Sequence, residues 1–394
     1  MSVPDGHALL SPGPSPAAAI AHALRIVDEN ATHFGLRYPD DTTTDQRYPD
    51  RPATATLPAG SNYGWTTAFW PGQLWLAHEL TGRRAYRDLA LAHVDSFAHR
   101  AEDRIDMDTH DLGFLYTLSC VSAWRETGSV DGRTAALTAA DLLMTRFVEP
   151  AGVVQAWGDL DDAAEGGRTI IDSLMNMPLL FWATAQTGDT RYAAAARRHV
   201  TALAEHIVRP DGSTFHTFHW DTGTGTARHG STAQGFTDDS CWARGQAWGV
   251  YGFALGFRHT GEPAFLTAAR RCADYLLDHL PADGVPYWDL LFQDGSTQPR
   301  DSSAAAIAVS GLLELAALVD DDASARYRAE AERLLAAVTR DCSSEGTDSD
   351  ALLLHGVYHW HKGDGVDEGN LWGDYFYLEA LTRLQRPDWV PWWR

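Results

Sequence analysis

Cysteine is scarce in this chain. Four are present among 394 residues, Cys120, Cys241, Cys272 and Cys342, far apart and with no CxxC pair. That excludes a disulfide-built scaffold and a cysteine-based zinc module. They read as reduced thiols, three of them packed in helices. Basic charge is short as well, with 31 Lys and Arg against 53 Asp and Glu, for a net charge of -22. Such a surface repels phosphate backbones and excludes nucleic acid as a partner. It also gives no long-range attraction to an anionic ligand, so any such ligand needs a cation supplied locally. No apolar run is long enough to span a bilayer, so no membrane partner is expected. The opening MSVPDGHALLSPGPSP lacks a basic stretch ahead of an apolar run. No secretory leader is read there, and a cytoplasmic location is expected.

What the chain has in quantity is apolar and aromatic side chains, 44% and 11% of the residues. They are organised by a repeated turn. ELTGRRAY, RETGSVDG, AQTGDTRY and RHTGEPAF each place a Thr-Gly pair at the end of one helical pattern and the start of another. Glycine suits the left-handed residue that ends a helix, so each pair predicts a tight helix–helix turn. After the turns come amphipathic helices. Tyr192, Ala196, Val200, Leu203 and Ile207 form one apolar stripe, and Phe265, Ala269, Cys272 and Leu276 another. Tyr327, Ala331, Leu334 and Val338 continue the pattern without a Thr-Gly turn. Before the turns, segments 111–124 and 301–318 are apolar nearly all round and must be buried on every side, and 241–257 is rich in aromatics and glycine.

Inner and outer helices therefore alternate. Twelve are expected, near 16–31, 67–80, 83–102, 111–126, 132–148, 172–187, 189–208, 242–259, 262–280, 301–319, 323–340 and 371–385. No strand-rich domain is read. The fold class is all-α, an (α/α)6 toroid of six inner and six outer helices. Residues 1–15 are expected to be a disordered or extended tail, and 16–394 a single catalytic domain acting as a monomer or weak homo-oligomer.

The long loops, 149–171, 209–241, 281–300 and 341–370, all lead into inner helices. They gather at the end where the inner-helix N-termini lie, and free N–H groups and partial positive charge there favour a bound anion. Functional side chains collect at the same end. Trp65, Phe69 and Trp70 precede the second helix, His110 and Asp111 open the fourth, and Asp172 opens the sixth. Trp242, Arg244, Gln246 and Trp248 open the eighth, Arg300 to Ser303 the tenth, and Asn370 and Trp372 the twelfth. Carboxylates, Trp, Arg and Gln around one mouth suit a sugar. Each also has a plain structural reading. Asp at a helix start is usually an N-cap, Asp301 above all, and mid-helix Trp124 and Trp182 read as core. His216 with His219, or His355 with His359 and His361, lack the Cys or carboxylate that completes a zinc-like set, so no metal is expected.

THDLGFLY (109–116), RTIIDSLMNMPLLFWA (168–183) and WARGQAWGVYGFA (242–254) resemble signature segments of the unsaturated glucuronyl hydrolases, glycoside hydrolase family 88. DSSAAAIAVSGLLEL (301–315) and LWGDYFYLEAL (371–381) fit too, and the resemblance runs over roughly 60 to 385. It implies an (α/α)6 fold and, without a cofactor, removal of a 4,5-unsaturated uronic acid from the non-reducing end of lyase-generated oligosaccharides. The implied route is hydration of the vinyl ether. The resemblance makes Asp172 the general acid/base and Asp111 the second essential carboxylate. His110, Trp65, Phe69, Trp157, His216, Gln234, Trp242 and Arg244 become substrate-binding residues, with Arg244 the cation for the uronate. Ser302, Ser303 and Tyr358 are weaker correspondences. Three alternatives stand beside this reading: an unsaturated rhamnogalacturonyl hydrolase, an (α/α)6 epimerase working through a histidine pair, and a non-catalytic glycan-binding protein.

Overall fold

Four Thr-Gly pairs set the topology of the ring. Gly82, Gly128, Gly188 and Gly261 end their helices at φ of 68, 73, 77 and 70°, where an L side chain is strained. The threonine before each donates its hydroxyl back one turn, Thr81 to Ala77, Thr127 to Ala123, Thr187 to Ala183 and Thr260 to Gly256. Three of these hydroxyls also accept an N–H from the returning chain, at Arg83, Asp189 and Glu262. The pair thus ends one helix and starts the reversal.

The structure is a computed structural model describing residues 14–160, 162 and 165–394. Most of the expected tail lies outside the described residues. Among those described, twelve helices alternate between an inner and an outer ring. The inner helices are α2 (Phe69–Thr81), α4 (Leu112–Tyr116, Thr117–Val121 and Ser122–Thr127), α6 (Ile171–Asn176 and Met177–Thr187), α8 (Ala243–Thr260), α10 (Ser302–Ala316) and α12 (Leu371–Gln385). The outer ones are α1 (Pro16–Phe34), α3 (Arg84–Ala92 and Val94–Glu102), α5 (Val130–Thr145), α7 (Thr190–His206), α9 (Pro263–Asp278) and α11 (Asp321–Cys342). This is the (α/α)6 toroid. Every residue of α10 is buried, whereas α11 buries one stripe that includes Tyr327, Ala331, Leu334 and Val338. Each large apolar side chain so buried contributes roughly 1.5–3 kcal/mol. One contiguous apolar cluster runs from Ala19 to Trp393. The four thiols are free and buried, three of them in helices. Among the described residues, no helix is long and apolar enough to cross a membrane.

The sequence reading named no strand-rich domain, and among the described residues there is none. The long loops fold into three small antiparallel sheets. β1 (Phe147–Val148) pairs β2 (Val153–Val154), and β3 (Arg168–Ile170) pairs β4 (Thr217–Trp220), which pairs β5 (Ala227–Ser231). β6 (Gly356–His359) pairs β7 (Asp364–Glu368). Strands of two to five residues are too short to show a period-2 pattern in sequence. They matter because β3 leads directly into Asp172 and β6 carries Tyr358.

The toroid is closed at its other end. The segment after α12 turns back under the ring, where Trp393 Nε1 donates to Glu379 Oε2 (2.9 Å) and Trp392 Nε1 to Glu126 Oε1 (3.0 Å). Beside it, fully buried Glu314 pairs with Arg258, Arg383 and Arg394. Burial alone would raise the pKa of Glu314, but the three guanidinium groups outweigh it and hold the carboxyl down to about 2. Its contribution to stability is complete above the ordinary Glu range and is lost as pH falls toward 2. Removing Glu314 takes a counter-charge from the nearly buried Arg383, while Arg258 and Arg394 keep partial contact with solvent. Glu314→Ala is therefore expected to destabilise the fold by roughly 3–5 kcal/mol. A thermal melt checks this, and an unchanged Tm would refute it.

Candidate active site

Asp111 stands immediately before α4, and Asp172 lies in the 3-10 turn that opens α6. Asp111 makes no capping bond with its side chain, and the residue that caps the turn carrying Asp172 is Ile170. Asp301 does cap its helix with its side chain, accepting from the N–H groups of Ser303 and Ala304. This separates the three: Asp301 has a structural task, whereas the other two aim their carboxylates elsewhere. Between them lies the buried ring of His110, whose Nε2 is 3.3 Å from Asp111 Oδ1 and 3.6 Å from Asp172 Oδ1. One ligating atom of each of the three residues lies within 4.8 Å of the others. The Thr109 hydroxyl donates to Asp111 Oδ2 at 2.9 Å. Asp172 Oδ1 has no hydrogen-bond partner in the protein.

The electrostatics divide the roles. Burial pushes the Asp172 pKa well above the ordinary carboxylate value, and the charge of Asp111 adds to it. Arg244 and the backbone N–H groups of Asp172 and Ser173 pull the other way without overcoming this. Asp172 is therefore poised as a neutral carboxylic acid, able to donate a proton. Burial lowers the His110 pKa, with Asp111 opposing and Arg146 assisting, so the ring between the acids favours its neutral form.

The spacing of the two acids is set by a contact between their helices. The Phe114 N–H donates to Asn176 Oδ1 at 2.8 Å. A Cβ on Gly113 would stand 2.1 Å from Asn176 Cα and 2.5 Å from its carbonyl oxygen. A glycine is needed there because backbone meets backbone. Inside the same element that carries Asp172, Ser173 Oγ donates to the Ile170 carbonyl and lies 2.7 Å from His199 Nε2. The other nitrogen of His199 accepts the Val154 N–H at 3.0 Å, so Nε2 carries the proton and donates to Ser173.

A cavity of about 160 Å³ opens over the carboxylates. Trp65, Trp157, Trp242, Trp248, Ile170 and Tyr358 form its walls, with His110, Gln234 and Arg244 as further polar groups. Arg244 is held between two indoles, 4.4 Å from the Trp242 ring and 5.0 Å from that of Trp372. It pairs with Asp301 at 3.0 Å and donates to the carbonyls of Val357 and Tyr358. It also donates to Gln234 Oε1 at 2.7 Å. That bond fixes the Gln234 amide, turning its NH2 group away from the guanidinium as a donor. Trp65 Nε1 donates to the Tyr358 hydroxyl at 3.1 Å, tying these two wall residues together.

Eight of the ten residues expected from the sequence, Asp172, Asp111, His110, Trp65, Trp157, Gln234, Trp242 and Arg244, line this one cavity. The other two stand behind it. Phe69 is fully buried one turn deeper, its ring packed behind Trp65 at 5.7 Å and against Phe114 and Phe376. His216 is buried with its ring edge-on to Trp242 at 4.8 Å, and its Nδ1 accepts the Ala233 N–H. Burial, with Arg244, His359 and His110 nearby, pushes the His216 pKa down to about 3. Ser302 and Ser303 are buried at the Asp301 cap rather than on the cavity wall. Ile170 lines the wall without having been assigned a role, and Trp248, expected among the functional side chains that open the eighth helix, lines it as well. The other histidines do not converge: His219 stacks on His229, and His355 pairs with Asp367. Among the described residues, His110, Asp111 and Asp172 are the group spaced to hold a cation.

Known proteins share this architecture and sequence. The chain is 47% identical over 378 residues to the unsaturated chondroitin disaccharide hydrolase of Streptococcus pyogenes serotype M1, covering 95% of this chain and 92% of that one. A crystal structure of unsaturated glucuronyl hydrolase from Streptococcus agalactiae superposes with a TM-score of 0.91 at 42% identity, over 97% of this chain and 95% of that one. A variant of that enzyme complexed with dGlcA-GalNAc6S superposes with a TM-score of 0.83 at 40% identity, over 98% and 96% of the two chains. The sequence profile of Glycosyl Hydrolase Family 88 matches residues 40–380. This chain belongs to glycosyl hydrolase family 88.

Proposed function

We infer that this enzyme removes a 4,5-unsaturated uronic acid from the non-reducing end of lyase-generated oligosaccharides of the glycosaminoglycan type. The observation that carries the reading is a carboxyl whose pKa is raised by burial and by a second carboxylate, facing a Trp-walled cavity. The relatives named as unsaturated chondroitin disaccharide hydrolase and unsaturated glucuronyl hydrolase support the substrate class.

The chemistry follows from the unsaturated sugar. Its C4–C5 double bond is a vinyl ether conjugated to the ring oxygen. Asp172 donates its proton to C4, and positive charge develops at C5 and the ring oxygen. Asp172, now a carboxylate, takes a proton from the water that attacks C5. The resulting C5 hemiketal opens, leaving a hemiacetal at C1. That hemiacetal collapses to an aldehyde and releases the rest of the saccharide as an alcohol. One water is consumed and the acid is regenerated. Asp111 keeps Asp172 protonated and, with His110, lies where the attacking water must be held. Gln234 offers its NH2 group and Arg244 its charge to the uronate. The rule linking carboxylate separation to stereochemistry describes attack at C1 and does not apply here. Free, buried thiols support a cytoplasmic location, which cell fractionation tests.

The test is to follow the ultraviolet absorbance of the conjugated double bond with unsaturated chondroitin, hyaluronan and heparin disaccharides. Turnover of at least one is expected. Failure on all three would remove this reading.

A further inference from the structure

The cavity over the carboxylates, at about 160 Å³, is smaller than the roughly 300–1,000 Å³ of sites that enclose a whole drug-sized ligand. A cavity of that size suits one sugar ring better than two. On the proposed reading of function, the leaving sugar must therefore lie outside, on the rim. Two segments of the wall continue outward into aromatic side chains. Two residues beyond Gln234 is Phe236, 37% exposed, and two residues beyond Tyr358 is the half-buried Trp360. Trp288, fully buried, stacks on Trp360 with ring centroids 4.9 Å apart and planes 12° from parallel. Phe236 stands edge-on to both, at 6.2 and 6.3 Å. The two outward segments are tied together where His361 Nε2 meets the Gly235 carbonyl at 2.7 Å. Trp288 Nε1 donates to Gln298 at 2.9 Å, so the backing ring is fixed.

We propose that Trp360, backed by Trp288 and flanked by Phe236, is the platform on which the leaving sugar stacks. One face of Trp360 is covered by Trp288, and the half-buried side chain offers the other to a pyranose. A partly exposed Phe beside a half-buried Trp offers an apolar aromatic surface, and a sugar's C–H face is a suitable cover for it. The occupant is fixed by continuity: the same two segments carry Gln234 and Tyr358 into the cavity. A platform of this kind binds the leaving ring by its face and so discriminates between a sugar and a smaller leaving group.

The proposal rests on the function inferred above, and the experiment keeps the two apart. In the full chain, kcat/KM is measured for an unsaturated disaccharide and for the methyl glycoside of the same unsaturated uronate. The unaltered enzyme is expected to prefer the disaccharide. Trp360→Ala is expected to lower that preference roughly tenfold, mainly through KM, and Trp360→Phe to keep most of it. Should Trp360→Ala fail to fold, Phe236→Ser carries the test, with a preference about threefold lower. Failure of the unaltered chain on both substrates overturns the reading of function and the platform with it. An unchanged preference in an active Trp360→Ala or Phe236→Ser enzyme overturns the platform alone.

Discussion

Asp172→Asn is expected to bind the unsaturated disaccharide and leave it almost intact. An amide of the same shape fills the site but has no carboxylic proton for C4 and cannot take one from water. Loss of general acid–base catalysis predicts a fall in kcat of about 10²–10⁴, with little change in binding. The sign of the pH dependence follows from the same residue. Because burial and then Asp111 raise its pKa, Asp172 is active while protonated, and turnover falls as pH rises through that raised value. Asp111→Asn removes the raising charge, so the alkaline limb of its residual activity moves to lower pH. His110 and Arg244 also face Asp172, and both stay in place in this variant. Full activity in Asp172→Asn, or an alkaline limb that does not move in Asp111→Asn, would dismiss these roles.

The second large effect comes from a residue without a functional side chain. Gly113→Ala puts a Cβ 2.1 Å from Asn176 Cα, backbone against side chain with nothing flexible to yield. The start of α4 must shift away from α6, and the two acids separate. Displacements near 1 Å at a reacting centre cost about 100-fold in rate, so kcat is expected to drop by that order. A merely structural role would lower stability and leave the pH profile alone. Here the alkaline limb should also move to lower pH, because Asp111 acts on Asp172 from farther away. Asn176→Ala, which loses the bond to Phe114 without adding volume, is expected to fall less. A folded Gly113→Ala enzyme with unchanged kcat and pH profile would show that this contact does not position the acids.

Much of the molecule was legible before any coordinates. The Thr-Gly pairs named the turns because a left-handed residue and a back-bonding hydroxyl are local requirements. The all-round apolar segments named the inner ring because burial on every side leaves no polar face. The resemblance of three ordered segments marked Asp111 and Asp172. What it could not show was depth. Phe69 shares a helix start with Trp65, yet one turn carries its ring behind the wall. His216 and Trp242 lie on different elements, and the histidine ends edge-on behind the indole. The small sheets in the loops were invisible because strands of two to five residues carry no period.

The amino-acid sequence by itself determined the alternation of inner and outer helices and the end of the ring where the chemistry collects. Those follow from periodicity, turn residues and loop lengths, which act within one or two elements. Tertiary structure decided which Asp is free and which is a cap, how far apart the two acids stand and which aromatic rings reach the rim. The reason is that a pKa and a spacing are set by neighbours far along the chain. Asp111 and Asp172 are sixty-one residues apart, and the contact of Gly113 with Asn176 exists only once the helices that carry them pack side by side.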